Sequence, residues 1–187
     1  MIRVLHHIIS KLELPETQRC FINHDQRELI MKTADLFDDH ADRIQVCETQ
    51  FTIYGQRLFC SGQIETIKCY EDNALVKKTL ATPSKGKVLV VDGASGIRTA
   101  LMGDMIAESA VQNGWVGVII LGAIRDSEDI NKLPLHVKAL GTCPRKSSKA
   151  GVGIVGELLN FGSADFLSGH WIYSDSDGIV ISESKLL

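Results

Sequence analysis

The chain has 187 residues, 44% hydrophobic and 23% charged, which is enough to bury a core in one domain and too apolar for extended disorder. A formal net charge of −3 and a pI near 6.1 exclude global attraction to nucleic acid or to acidic membrane surfaces. No apolar run approaches the ~18 residues of a membrane span, and the five cysteines (20, 47, 60, 69 and 143) contain no C-x-x-C pair, which suits free thiols in a reducing cytosol.

The opening "MIRVLHHIIS" is interrupted by His6 and His7 and has no small-residue cleavage site, so it does not read as a signal peptide. Residues 1–30 show no sustained period and read as an extension, docking arm or upstream start outside a main domain over 31–187. "TADLFDDH" from Thr33 reads as a short helix with Thr33 as N-cap. "RLFCSGQIETIKCY" (57–70) alternates as two short strands around Ser61-Gly62, and "EDNALVKKTLAT" (71–82) places acids first and lysines last, as a helix dipole favours. "KVLVVDG" (87–93) is a buried strand. "GDMIAESAVQNG" (103–114) is a helix with Ile106, Ala107, Ala110 and Val111 on one face and Gly114 as its cap. "WVGVIILG" is the next strand, and "HVKALG", "ADFLSGHWIYSD" and "DGIVIS" make the second half strand-rich. Strand, helix, strand over 87–121 predicts a parallel βαβ unit in a mixed α/β domain.

Several familiar chemistries fit poorly. Gly93-Ala-Ser-Gly96 has G-x-x-G spacing rather than G-x-G-x-x-G, so it reads as a tight strand-to-helix turn instead of a dinucleotide loop. Ser95 lies outside a G-x-S-x-G elbow, and His136 and His170 read as strand residues, which disfavours a serine hydrolase. "PRKSSK" (144–149) could hold a phosphate but reads first as a solvated loop. Gly103-Asp104 and Arg125-Asp126 form a more coherent set. A helix start offers free N–H groups, Arg125 can grip a carboxylate with two hydrogen bonds, and Asp126 offers a hard oxygen to Mg²⁺ or a similar ion. Read separately, the pairs are an N-cap and a surface ion pair; read together across one βα unit, they make a site.

The stretches "GQIETIKCYEDNALVKKTL", "GKVLVVDGASGIRTALMGDMIAESAVQNGWVGVIILGAIRDSEDI", "ALGTCPRKSSKAG" and "GHWIYSDSDGIVIS" resemble the regulator of ribonuclease activity A (RraA) family over roughly residues 33–183. That family also contains class II 4-hydroxy-4-methyl-2-oxoglutarate aldolases, marked by an Asp, twenty residues and Arg-Asp; Asp104, Arg125 and Asp126 keep that spacing.

The resemblance implies a single layered α/β domain of the swivelling β/β/α type with a mixed sheet, usually a homotrimer with its site near a subunit boundary. It implies a divalent-metal-dependent lyase, using Mg²⁺ or Mn²⁺, that acts on small 2-oxo acids. Such an enzyme cleaves 4-hydroxy-4-methyl-2-oxoglutarate or 4-carboxy-4-hydroxy-2-oxoadipate, decarboxylates oxaloacetate and yields pyruvate. Asp126 would hold the metal, Arg125 the enolate, and Asp104 a water, while the backbone of Gly103, Asp104, Met105 and Ile106 would cradle the carboxylate. The other branch implies a non-enzymatic regulator that binds ribonuclease E. Two departures stand out: "DGASG" replaces the "DGGGS" of many relatives, and the sequence ends at "SESKLL", where longer aldolases continue to an acidic residue that completes a neighbour's metal site. Decarboxylation is therefore expected to be the more robust activity.

Overall fold

The computed structural model describes residues 32–186, so the expected extension over 1–30 lies outside the described residues. Helix α1 (Thr33–His40) is followed by β1 (Ile44–Val46), β2 (Thr52–Tyr54) and β3 (Cys60–Lys68). Next come α2 (Ala74–Leu80), β4 (Val88–Met102), α3 (Asp104–Gln112), β5 (Gly117–Ile124) and α4 (Ser127–Ile130). β6 (His136–Thr142), β7 (Ile154–Val155), β8 (Leu159–Phe161), β9 (Ala164–Phe166), β10 (Trp171–Ser174) and β11 (Ile179–Ser182) complete the chain.

β3, β4, β5 and β6 lie side by side and parallel, flanked by antiparallel strands in the order β1-β11-β10-β3-β4-β5-β6-β2, with β7 beside the end of β3. All eight residues of β5 are buried, as the continuous apolar run requires of a strand covered on both faces. Alternate residues feed two cores. One face carries Leu89, Val91, Val118 and Ile120 against α2 and α3; the other carries Val88, Val90 and Ile119 against the β8–β9 hairpin, where Phe161 stacks on Phe166 with centroids 4.3 Å apart. The described residues thus form the mixed α/β domain with one large mixed sheet that the sequence implies.

The βαβ unit is realised as β4–α3–β5. Ala107 and Ala110 are buried on the inner face of α3, with Ile106 and Val111 packed at its sides. Asn113 caps the end of α3, and the N–H groups of Gly114 and Trp115 return to the carbonyls of Val111 and Ala110, a two-bond closure of the helix end.

Four local expectations are corrected. His170 lies in the bend before β10 and not in a strand. Residues 60–68 are one strand, because at Gly62 a Cβ would collide with the Gly86 carbonyl; the glycine marks a close backbone approach, and no turn forms there. Gly93–Gly96 does not lead into a helix: β4 continues to Met102 with register shifts against β5, and Ala94 and Ser95 take φ of 53° and 56°. Thr33 is the first helical residue rather than the N-cap. Its N–H and hydroxyl both donate to Asp175, at 2.8 and 2.7 Å, so a distant carboxylate serves the start of α1.

The face away from the helices buries several ionisable groups. His136 is fully buried, with Nδ1 2.8 Å from the Arg57 carbonyl and Nε2 2.9 Å from Ser174 Oγ. A carbonyl can only accept, so Nδ1 carries the proton and Nε2 accepts from Ser174. Burial pushes the His136 pKa down to about 4, with nearby Lys138 acting in the same direction. Lys138 is itself buried and donates to the Gly178 carbonyl at 3.1 Å. The described cysteines are free; burial pushes the Cys60 and Cys69 thiols up to about 12. No described helix is long and apolar enough to cross a membrane.

Candidate active site

β4 and β5 end side by side, Met102 opposite Ile124, and the Arg125 N–H donates to the Met102 carbonyl at 2.9 Å. The chain leaves β4 through Gly103, the N-cap of α3, and leaves β5 through Arg125 and Asp126. The two pairs singled out in the sequence therefore meet at the carboxyl edge of the parallel strands, where open α/β sheets bind ligands. Asp126 takes a left-handed φ of 53° at the start of α4, and its Oδ2 lies 3.2 Å from Arg125 Nε. A Cβ on Gly103 would stand 2.6 Å from that Oδ2 and 3.1 Å from that Nε. Gly103 has an ordinary extended backbone, so what the site needs from it is space.

A cleft of about 250 Å³ opens at this edge, and Gly103, Asp104, Met105, Ile106 and Arg125 all line it. Asp126 is outside the lining and connects to it through Arg125 and the gap over Gly103. At the start of α3, the Met105 N–H donates to Asp104 Oδ1 at 2.7 Å and the Ile106 N–H to the Gly103 carbonyl at 3.2 Å. A carboxylate placed here would have to compete with Asp104 for the Met105 amide.

Sequence reasoning missed the opposite wall. It consists of Asn73 and Lys77 from the α2 region with Lys146, Ser147 and Lys149 from the segment read as a solvated loop. That segment is pinned: the Ala100 N–H donates to the Arg145 carbonyl, the Asn73 N–H to Ser148, and the Ser148 N–H to Glu71. Asp72, 2% exposed, accepts from the N–H groups of Ala74, Ala150 and Gly151. Burial alone would raise its pKa, but these donors hold its carboxyl below the usual range. The only local signal was a basic run without period, and that pattern does not distinguish a pinned loop from a free one.

The lining carries four cationic side chains, Lys77, Arg125, Lys146 and Lys149, against one carboxylate, Asp104. Such a cleft favours small polyanions. No cluster of three or more His, Cys, Asp or Glu side chains gathers among the described residues. A sparse donor set of one or two carboxylates suits Mg²⁺ or Mn²⁺, which keep several waters, better than a site for zinc. Asp126, with its side chain 36% exposed beside the gap over Gly103, could hold such an ion, with Asp104, next to Gly103 in sequence, in the cleft lining.

A profile described as RraA-like, Aldolase/RraA, matches residues 31–181. A relative from Acinetobacter baylyi, named provisionally as a 4-hydroxy-4-methyl-2-oxoglutarate aldolase, is 51% identical over 161 residues, 83% of this chain and 95% of the relative. A crystal structure from Geobacillus kaustophilus, described as an S-adenosylmethionine:2-dimethylmenaquinone methyltransferase, superposes with a TM-score of 0.82 at 47% identity, covering 83% of this chain and 97% of that one. The RNA-processing inhibitor RraA from Thermus thermophilus superposes with a TM-score of 0.81 at 35% identity, covering 83% and 94%.

Proposed function

Because the chain belongs to the Aldolase/RraA family, we propose that it is a divalent-metal-dependent carbon–carbon lyase. It cleaves 4-hydroxy-4-methyl-2-oxoglutarate, or the related 4-carboxy-4-hydroxy-2-oxoadipate, to pyruvate-type products and also decarboxylates oxaloacetate. The observation that carries this reading is the meeting of Arg125, Asp126 and Gly103-Asp104 at one cationic cleft. Asp126 would hold Mg²⁺ or Mn²⁺, and the ion supplies Lewis acidity toward the 2-oxo acid end of the substrate. Arg125 offers a fixed fork of donors where negative charge develops as the bond breaks. The start of α3 binds the substrate carboxylate, and Asp104 orients the water through which a proton is exchanged.

The four-to-one cationic lining supports a polycarboxylate substrate and would repel the sulfonium of a methyl donor. Exposed apolar side chains along one segment, Val152, Ile154, Val155 and Leu158, support self-association, and the family resemblance points to a homotrimer. Free, mostly buried thiols support a cytoplasmic setting. The likeness to the RNA-processing inhibitor favours a second reading, binding of a ribonuclease E-type partner, which would persist in Asp126→Ala.

The deciding experiment is incubation with oxaloacetate and Mg²⁺. Pyruvate should form above the metal-only background, EDTA should stop it, and Arg125→Ala and Asp126→Ala should abolish it. Unchanged rates in both variants would move the site elsewhere.

A further inference from the structure

Among the described residues, three buried side-chain atoms lack a hydrogen-bond partner: Asn73 Oδ1, Ser84 Oγ and Ser147 Oγ. Two of the three, Asn73 and Ser147, belong to residues that line the same cleft. Buried polar groups are ordinarily paired, and an orphan is costly unless something binds it.

The position of Asn73 sharpens the anomaly. It is the N-cap of α2, where an asparagine normally spends its side-chain oxygen on the helix N–H groups. Here Asp72 takes that role, with its Oδ1 2.9 Å from the Ala74 N–H, and the Asn73 oxygen is left over. The same stretch brings Ser147 in: Asp72 pairs with Ser148, and the Asn73 N–H donates to the Ser148 carbonyl at 3.0 Å. One pinned backbone ladder therefore holds both residues in the cleft wall.

We infer that Asn73 and Ser147 form a hydroxyl-recognition pair, which selects substrates bearing an alcohol on the carbon that becomes the new carbonyl. This rests on the lyase reading above. An amide oxygen can only accept, whereas a serine hydroxyl can also donate. A ligand O–H satisfies both, donating a hydrogen bond to Asn73 Oδ1 and accepting one from Ser147 Oγ–H. A carboxylate would accept from Ser147 but has no proton to give the Asn73 oxygen. Both oxygens are buried in the free protein, so the pairing requires each side chain to turn about a side-chain bond toward the cleft its residue lines. In retro-aldol cleavage the C3–C4 pair moves to C3 as the enolate, the O–H pair becomes the C4=O bond, and the hydroxyl proton leaves to water. Asn73 and Ser147 hold that hydroxyl in place and take no proton, so they are positioning residues. Oxaloacetate releases carbon dioxide from C4 and has no such hydroxyl.

The test uses the full chain with Mg²⁺ and two ligands that differ by one group, 2-hydroxy-2-methylsuccinate and 2-methylsuccinate, measured by calorimetry. The wild type should prefer the hydroxylated ligand by at least about tenfold, and Asn73→Ala and Ser147→Ala should each erase most of that preference. In kinetics, their loss of kcat/KM on 4-hydroxy-4-methyl-2-oxoglutarate should exceed their loss on oxaloacetate by about the same factor. Ser147→Ala removes a single oxygen and gives the answer even if Asn73→Ala fails to fold. No preference in the wild type, or a preference kept in both variants, overturns the pair whatever the enzyme catalyses. A wild type that binds with the preference yet cleaves neither substrate overturns the lyase reading alone.

Discussion

At Gly103 the absence of a side chain is what lets Arg125 and Asp126 lie across the start of α3. Gly103→Ala should fold normally, since its φ of −129° is ordinary for alanine. Its Cβ would push the ion pair aside, so kcat/KM for oxaloacetate should fall by more than about tenfold with little change in Tm. A loss of stability as large as the loss of activity would mean that Gly103 serves packing instead. Arg125→Lys keeps the charge and loses the fork; kcat/KM should fall by roughly a hundredfold, while near-normal activity would show that a point charge suffices. The Arg125-Asp126 ion pair read from adjacency does form, at 3.2 Å, and on a surface it would contribute little. Its interest lies in what it borders.

Among the elements, the 144–151 segment depends on Asp72 more than on its own sequence. Asp72→Asn would turn a buried acceptor of three amides into a mixed donor and acceptor. It should destabilise the fold by roughly 2–3 kcal/mol and raise KM, because Lys146, Ser147 and Lys149 lose their anchor. Thermal melts beside steady-state kinetics would check this, and a lowered Tm with an unchanged KM would detach the loop from binding. The β4–α3–β5 unit and its two charged pairs were legible in the sequence, because apolar runs and a 3.6-residue period are local signals. The opposite wall was not legible, since Asp72 meets Ala150 across 78 positions and nothing local records that pairing. Thr33 misled for the same reason: its acceptor, Asp175, is 142 residues away. Residues 93–102 misled because pairing with β5, and not alternation, decides that they remain strand.

For the whole molecule, the face away from the helices sets a pH limit. His136, held neutral with a pKa of about 4, contributes stability that is fully present above the unfolded value near 6.5. As the pH falls from there toward 4, the unfolded chain binds a proton that the folded chain refuses. Stability should then drop by roughly 3 kcal/mol over that window. Urea titrations at pH 7 and pH 4.5 should show a smaller difference in His136→Gln than in the wild type, and equal differences would assign the acid sensitivity elsewhere.

β4 has one more consequence. Between Asp92 and Met102 it advances ten residues while β5 advances only from Leu121 to Ile124. Both ends of the surplus are fastened to the same neighbouring strand, so the excursion behaves like an expansion joint. An exchange within it, such as "DGASG" for "DGGGS", should therefore leave Gly103 beside Arg125. What protrudes from the molecule should thereby be able to vary without altering the spacing of Gly103, Arg125 and Asp126.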